Sequence, residues 1–137
     1  MTFRPLLFAL ICLPLAAQDR GRVPVFPPDM IAHDSPIRDL AKIDAKHVRV
    51  DTDNARLRVL RIALGAGEAL PLHDARDGVL VCLAACRLTV TNPVGYAVEV
   101  KLEAGQTQWM PAARHRILNA APGPVEFLYI EAKRPAN

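Results

Sequence analysis

From Lys46 to Ala132 the chain breaks into short runs rich in Val, Ile, Leu and Thr, separated at fairly even intervals by Gly, Pro, Asn and Asp. The runs are KHVRVD, RLRVLRIAL, GVLVCL, RLTVTN, YAVEVKL, TQWM, HRILN and VEFLYIEA. Several alternate with period two. Val98, Val100 and Leu102 alternate with Glu99 and Lys101, and Leu88 and Val90 with Arg87, Thr89 and Thr91. Successive side chains of a strand point to opposite faces, so this alternation is that of strands with one face on a core. In RLRVLRIAL the alternation changes phase between Val59 and Leu60, which predicts a bulge or a strand buried on both faces. No stretch keeps a helical period. About eight short strands with turn residues between them predict an all-β, antiparallel sandwich or barrel.

With 137 residues there is room for one domain and not for a second core. Only 5% of residues are aromatic, and the 17 basic and 14 acidic side chains are scattered. That composition lacks both the stacking platform and the basic stripe of a nucleic-acid module, so no nucleic-acid partner is expected. Residues 1–17, MTFRPLLFALICLPLAA, read as a signal peptide: Arg4, a short apolar run, then small residues ending at Ala17. The run is too short for a permanent membrane span, and Ile11 stands before Cys12 where a lipoprotein cysteine wants a small residue. The expected location is periplasmic or extracellular, where disulfides form. Residues 18–45 hold Pro24, Pro27, Pro28 and Pro36 and read as an extended N-terminal arm, anchored through Val25, Phe26 and Ile31, or as a flexible leader. Ser35 before Pro36 is a good helix start, predicting a helical turn over 36–41. The barrel itself is assigned to residues 46–134.

Two segments carry the chemistry. The first, GAGEALPLHDARD, runs from Gly65 to Asp77; the second, GQTQWMPAARHRILN, from Gly105 to Asn119. Together with the strands between them they resemble the cupin family of small jelly-roll barrels, over about residues 46–133. Gly67, Pro71 and His73 match the first cupin motif, and Gly105, Pro111, His115 and Asn119 match the second. The resemblance implies a cupin-like jelly-roll β-barrel. It also implies a cage of three histidines and a glutamate that holds Fe, Mn, Ni or Zn, the first two histidines lying two apart on one strand so that both face inward. This sequence departs from that plan: Ala75 stands where the second histidine belongs, and the expected glutamate falls in the apolar run Val79–Val81. His73 and His115 remain. A carboxylate such as Asp77, or Glu68, would complete a metal set, whereas Asp74 alternates away from His73. The cofactor expectation is therefore none, or a weakly bound divalent metal. Otherwise the two histidines are buried and hydrogen-bonded within the barrel.

Once Cys12 leaves with the signal peptide, Cys82 and Cys86 remain, facing each other across a three-residue hairpin loop. Facing residues of a hairpin lie within disulfide range, so a bridge and two free thiols both stand. Gln108 and Trp109 precede the Pro111 turn and are expected, with His73, His115 and Asn119, to line a cavity for a small polar molecule. Asn119 has the alternative role of shaping its turn, and Trp109 that of a core residue. Leu128 and Ile130 alternate with Phe127 and Tyr129, so the last strand is apolar on both faces, as suits a homodimer. The function expected is that of an exported small-molecule-binding protein with an incomplete metal site, the alternative being a metal-dependent oxygenase, isomerase or lyase using His73, His115 and a carboxylate.

Overall fold

All eight runs fold as strands, and a ninth of three residues joins them. The structure, a computed structural model, describes residues 36–135; the expected signal peptide, residues 1–17, and residues 18–35 of the expected arm lie outside these. The strands are β1 (Val48–Asp53), β2 (Leu57–Leu64), β3 (His73–Ala75), β4 (Gly78–Cys82), β5 (Cys86–Thr91), β6 (Ala97–Leu102), β7 (Thr107–Met110), β8 (Ala113–Asn119) and β9 (Val125–Ala132). They form a five-stranded sheet in the order β1-β2-β9-β4-β7 and a four-stranded sheet in the order β3-β8-β5-β6. All the pairings between strands are antiparallel.

Side-chain parity explains the core. Leu60, Ile62 and Leu64 of β2, Phe127 and Tyr129 of β9, Leu80 of β4, Leu88 and Val90 of β5, and Ile117 of β8 are all buried. Each such side chain removed from water contributes about 1.5–3 kcal/mol. The phase change at Val59–Leu60 has a different origin from either reading of it. β2 pairs with β9 in unbroken register from Leu57↔Ala132 to Leu64↔Val125. The irregularity lies in β1, whose register shifts between Val50 and Thr52 opposite Leu60 and Val59. Val59 therefore faces outward in a regular strand, and Asp51 is the extra residue of the edge.

One short helix, α1 (Leu40–Ile43), precedes β1. It starts later than the turn expected after Ser35, because residues before it are engaged elsewhere. Arg38 N–H donates to Asp74 Oδ2 at 2.8 Å, and Asp74 N–H donates to the Arg38 carbonyl at 2.9 Å. Asp39 and Asp74 form a parallel bridge, so this piece of chain lies along the open edge of β3. Asp39 then caps α1 by accepting from the Ala41 N–H. No helix among the described residues is long and apolar enough to cross a membrane.

Candidate functional site

The two motif histidines meet. The segment before β3 is zipped to β8, with Leu70 N–H donating to the Ile117 carbonyl and Ala69 bridging Leu118. Gly67 turns that segment at φ 73°, a conformation that side chains with a Cβ rarely adopt. β3 then pairs with β8 in the register His73↔His115. Both rings point inward, 3% and 2% exposed. Their centroids are 4.8 Å apart at an interplanar angle of 85°, an edge-to-face pair. His73 Nδ1–H donates to the Pro71 carbonyl at 2.8 Å, which leaves its Nε2 with a free lone pair. His115 Nε2 is buried and has no hydrogen-bond partner. Burial holds the His73 ring below its ordinary titration range, against the pull of the Pro71 carbonyl. Burial, reinforced by the neighbouring His73, lowers His115 to about 3. Both imidazoles are neutral near pH 7, and His115 presents an unsatisfied nitrogen, an arrangement that can accept a donor or bind a Lewis acid.

The carboxylates expected to complete a metal set are occupied elsewhere. Asp77 Oδ1 accepts from the Ala112 N–H at 2.8 Å and so holds the turn between β7 and β8. Glu68 accepts from the Gly65 N–H and from His47 Nε2 at 2.5 Å. Asp74, directed away from His73 as expected, pairs with Arg114 at 2.6 Å. Ala75 faces Ala113 across the β3–β8 pair. Among the described residues no three His, Cys, Asp or Glu side chains converge as metal ligands. The expected trio of His73, His115 and Asp77 is thus corrected to the two histidines. A catalytic metal normally takes three protein ligands, so the residues present do not fit a cupin metal centre.

Two other expected site residues also lie elsewhere. Trp109 points away from the interior and is 56% exposed, because it alternates with the fully buried Met110. The Asn119 side chain is consumed by turns: its Nδ2 donates to the carbonyls of Leu64, Gly65 and Gly123, and its Oδ1 accepts from the Ala121 N–H. It shapes the chain around the site and offers a ligand nothing. Gln108 shares the face of Met110, is half-buried, and donates to the Trp109 carbonyl at 3.1 Å. Cys82 and Cys86 are joined as a disulfide across the β4–β5 turn, with Cα atoms 6.1 Å apart and both residues buried.

The structure adds a polar layer that the sequence reading missed. Arg58 of β2 and Glu131 of β9 are Cα partners, and Arg58 Nε donates to Glu131 Oε2 at 2.7 Å. Arg58 also donates to Asp39 at 3.1 Å, and Glu131 is 2% exposed. The signal was present: Arg58 lies two residues before Leu60, and Glu131 two after Tyr129, so parity aims both inward. They border a small cavity of about 230 Å³ together with Ala75 and Arg76. A larger cavity, about 570 Å³, adjoins it where β3 and β9 end. Neither histidine lines it.

Several solved structures similar to this chain are cupins. One, a cupin domain from Bordetella pertussis Tohama I, is 26% identical, with a TM-score of 0.58 over 64% of this chain and 92% of its own. An RmlC-like cupin family protein with a double-stranded β-helix fold from Methanocaldococcus jannaschii is 20% identical, with a TM-score of 0.51 over 76% of this chain and 95% of its own. A cupin 2 conserved barrel domain protein from Leptotrichia buccalis is 20% identical, with a TM-score of 0.50 over 63% of this chain and 40% of its own. The last two bear on the fold alone. No protein-family model matches the sequence, and no curated protein matches it. Two antiparallel sheets closed around a core, motif histidines paired across β3 and β8, and this likeness to solved cupins agree: the chain has the cupin fold.

Proposed function

We propose that this cupin is an exported binding protein whose ligand, a small polar molecule, is held at the His73–His115 pair, and that its incomplete metal site leaves it without metal-dependent turnover. The observation that carries the reading is the buried, partnerless Nε2 of His115 beside His73, whose own Nδ1–H is already committed. A buried polar atom without a partner costs about 1–3 kcal/mol, which a ligand that donates to it recovers. The apolar outer face of β9, with Leu128 and Ile130, supports a homodimer as the binding form. Metal analysis of protein purified without chelators, repeated on His73→Ala, tests the reading. It expects metal well below about 0.1 equivalent in both proteins. Stoichiometric Fe, Mn, Ni or Zn that disappears in His73→Ala would replace it with the metal-dependent enzyme.

A further inference from the structure

The 570 Å³ cavity at the end of the barrel has a lining that the imidazole pair does not explain. Four alanines, Ala55, Ala75, Ala112 and Ala132, give it an apolar wall. Its charged groups are Arg76, Lys133, Arg134 and a single carboxylate, Asp77, which already accepts from the Ala112 N–H and has Arg134 at 3.9 Å. Lys133 is paired with Asp53. Arg76 differs from these: among the described residues its guanidinium makes no hydrogen bond or ion pair, although it also borders the two neighbouring cavities. Its electrostatic neighbour Asp53 is held below the usual carboxylate range first by the Lys133 hydrogen bond, with Arg58 and then Arg76 contributing least. The backbone beneath it is fixed, since the buried Tyr129 hydroxyl donates to the Arg76 carbonyl at 2.9 Å.

We propose that this cavity is a second ligand site, separate from the imidazole pair, which takes a small organic carboxylate: the anion on the Arg76 guanidinium and a short apolar body against the alanines. The planar fork of an arginine matches a carboxylate with two parallel N–H···O bonds, and the exposed Arg76 guanidinium is accessible to one. Methyl groups donate no hydrogen bonds, so the rest of the ligand is apolar. Lys133 and Arg134 add positive potential and attract the anion in a salt-dependent way.

Titration with butyrate, inorganic phosphate and butylammonium, followed through the Arg76 Nε–Hε resonance and by calorimetry, tests the site. Butyrate should saturate, butylammonium should not, and Arg76→Gln should weaken butyrate by about 10-fold or more. Ala112→Leu, which fills the wall at an exposed position, should abolish butyrate binding while leaving thermal stability within about 2 °C. Phosphate binding as tightly as butyrate, an Arg76→Gln affinity within about 2-fold of the parent, or no saturation by about 100 mM butyrate would each overturn the proposal. His73→Ala should leave butyrate affinity unchanged. That control reads failure at the imidazole pair and failure here separately, and loss of butyrate in His73→Ala would show one site instead of two.

Discussion

His47 and the buried histidines lie on opposite sides of ordinary imidazole titration. His47 Nε2 meets Glu68 at 2.5 Å and Nδ1 meets Asp44 at 2.9 Å, so the ring satisfies both carboxylates only as an imidazolium. Those hydrogen bonds, to Glu68 first and Asp44 next, raise its pKa above 6.5. Its contribution to stability is complete below that value and is lost as the pH rises through the raised folded value. His73 and His115 carry the reverse sign. Their folded values are lowered by burial, so their contribution is complete above 6.5 and is lost as the pH falls toward the folded values, about 3 for His115. Stability should therefore be greatest near the ordinary histidine value, and denaturation midpoints measured across pH check this. His47→Gln should remove the decline on the alkaline side and leave the acidic decline in place; an unchanged alkaline limb would show that the Asp44–His47–Glu68 contact does not form. At this scale the sequence revealed which residues carry chemistry, since His73 and His115 are motif positions. It did not reveal whether a side chain is already spoken for. Asn119, Asp77 and Trp109 have the chemistry of site residues, but hydrogen bonds or outward orientation remove them.

Among the elements, β4 is an interior strand, with β9 on one side and β7 on the other. Gly78 opens it, and a Cβ there would come 2.3 Å from the Ile130 carbonyl oxygen. That neighbour is backbone in the middle of a paired strand, so it cannot yield cheaply. Gly78→Ala should destabilise the barrel by about 1–3 kcal/mol, read as a lower urea midpoint with the same slope. A midpoint unchanged from wild type would mean that β4 and β9 separate locally at no cost. Strand existence was legible throughout because period-two alternation follows directly from the pleat. Two features were not. β3 is three residues long, too short for its alternation to stand out, and forms because β8 and residues 38–39 border it on either side. The bulge lies in β1 although the sign of irregularity appeared in β2, because strand register is a property of a pair and not of one strand.

Across the whole molecule, the five-stranded sheet carries an apolar row on its outer surface. Val59, Ile130, Val79 and Trp109 are successive cross-strand partners over β2, β9, β4 and β7, and Leu128 and Val81 lie alongside as a second pair. In the proposed dimer this face is the interface, where Trp109, turned out of the barrel, anchors the neighbouring subunit instead of lining the interior. Light scattering should give twice the chain mass for the parent at about 100 µM and the single-chain mass for Ile130→Glu or Trp109→Glu. A parent that is already monomeric would place the dimer elsewhere or nowhere. What the sequence determined by itself was the all-β class, the approximate strands, and the cupin resemblance with its two surviving histidines. These follow from local patterning and from residue types at set spacings. Only the tertiary structure decided which polar groups are free. The partners of Asp77, Asn119 and Glu131 lie on other strands and turns, and whether a buried hydrogen-bonding group is satisfied depends on those partners, which no local pattern encodes.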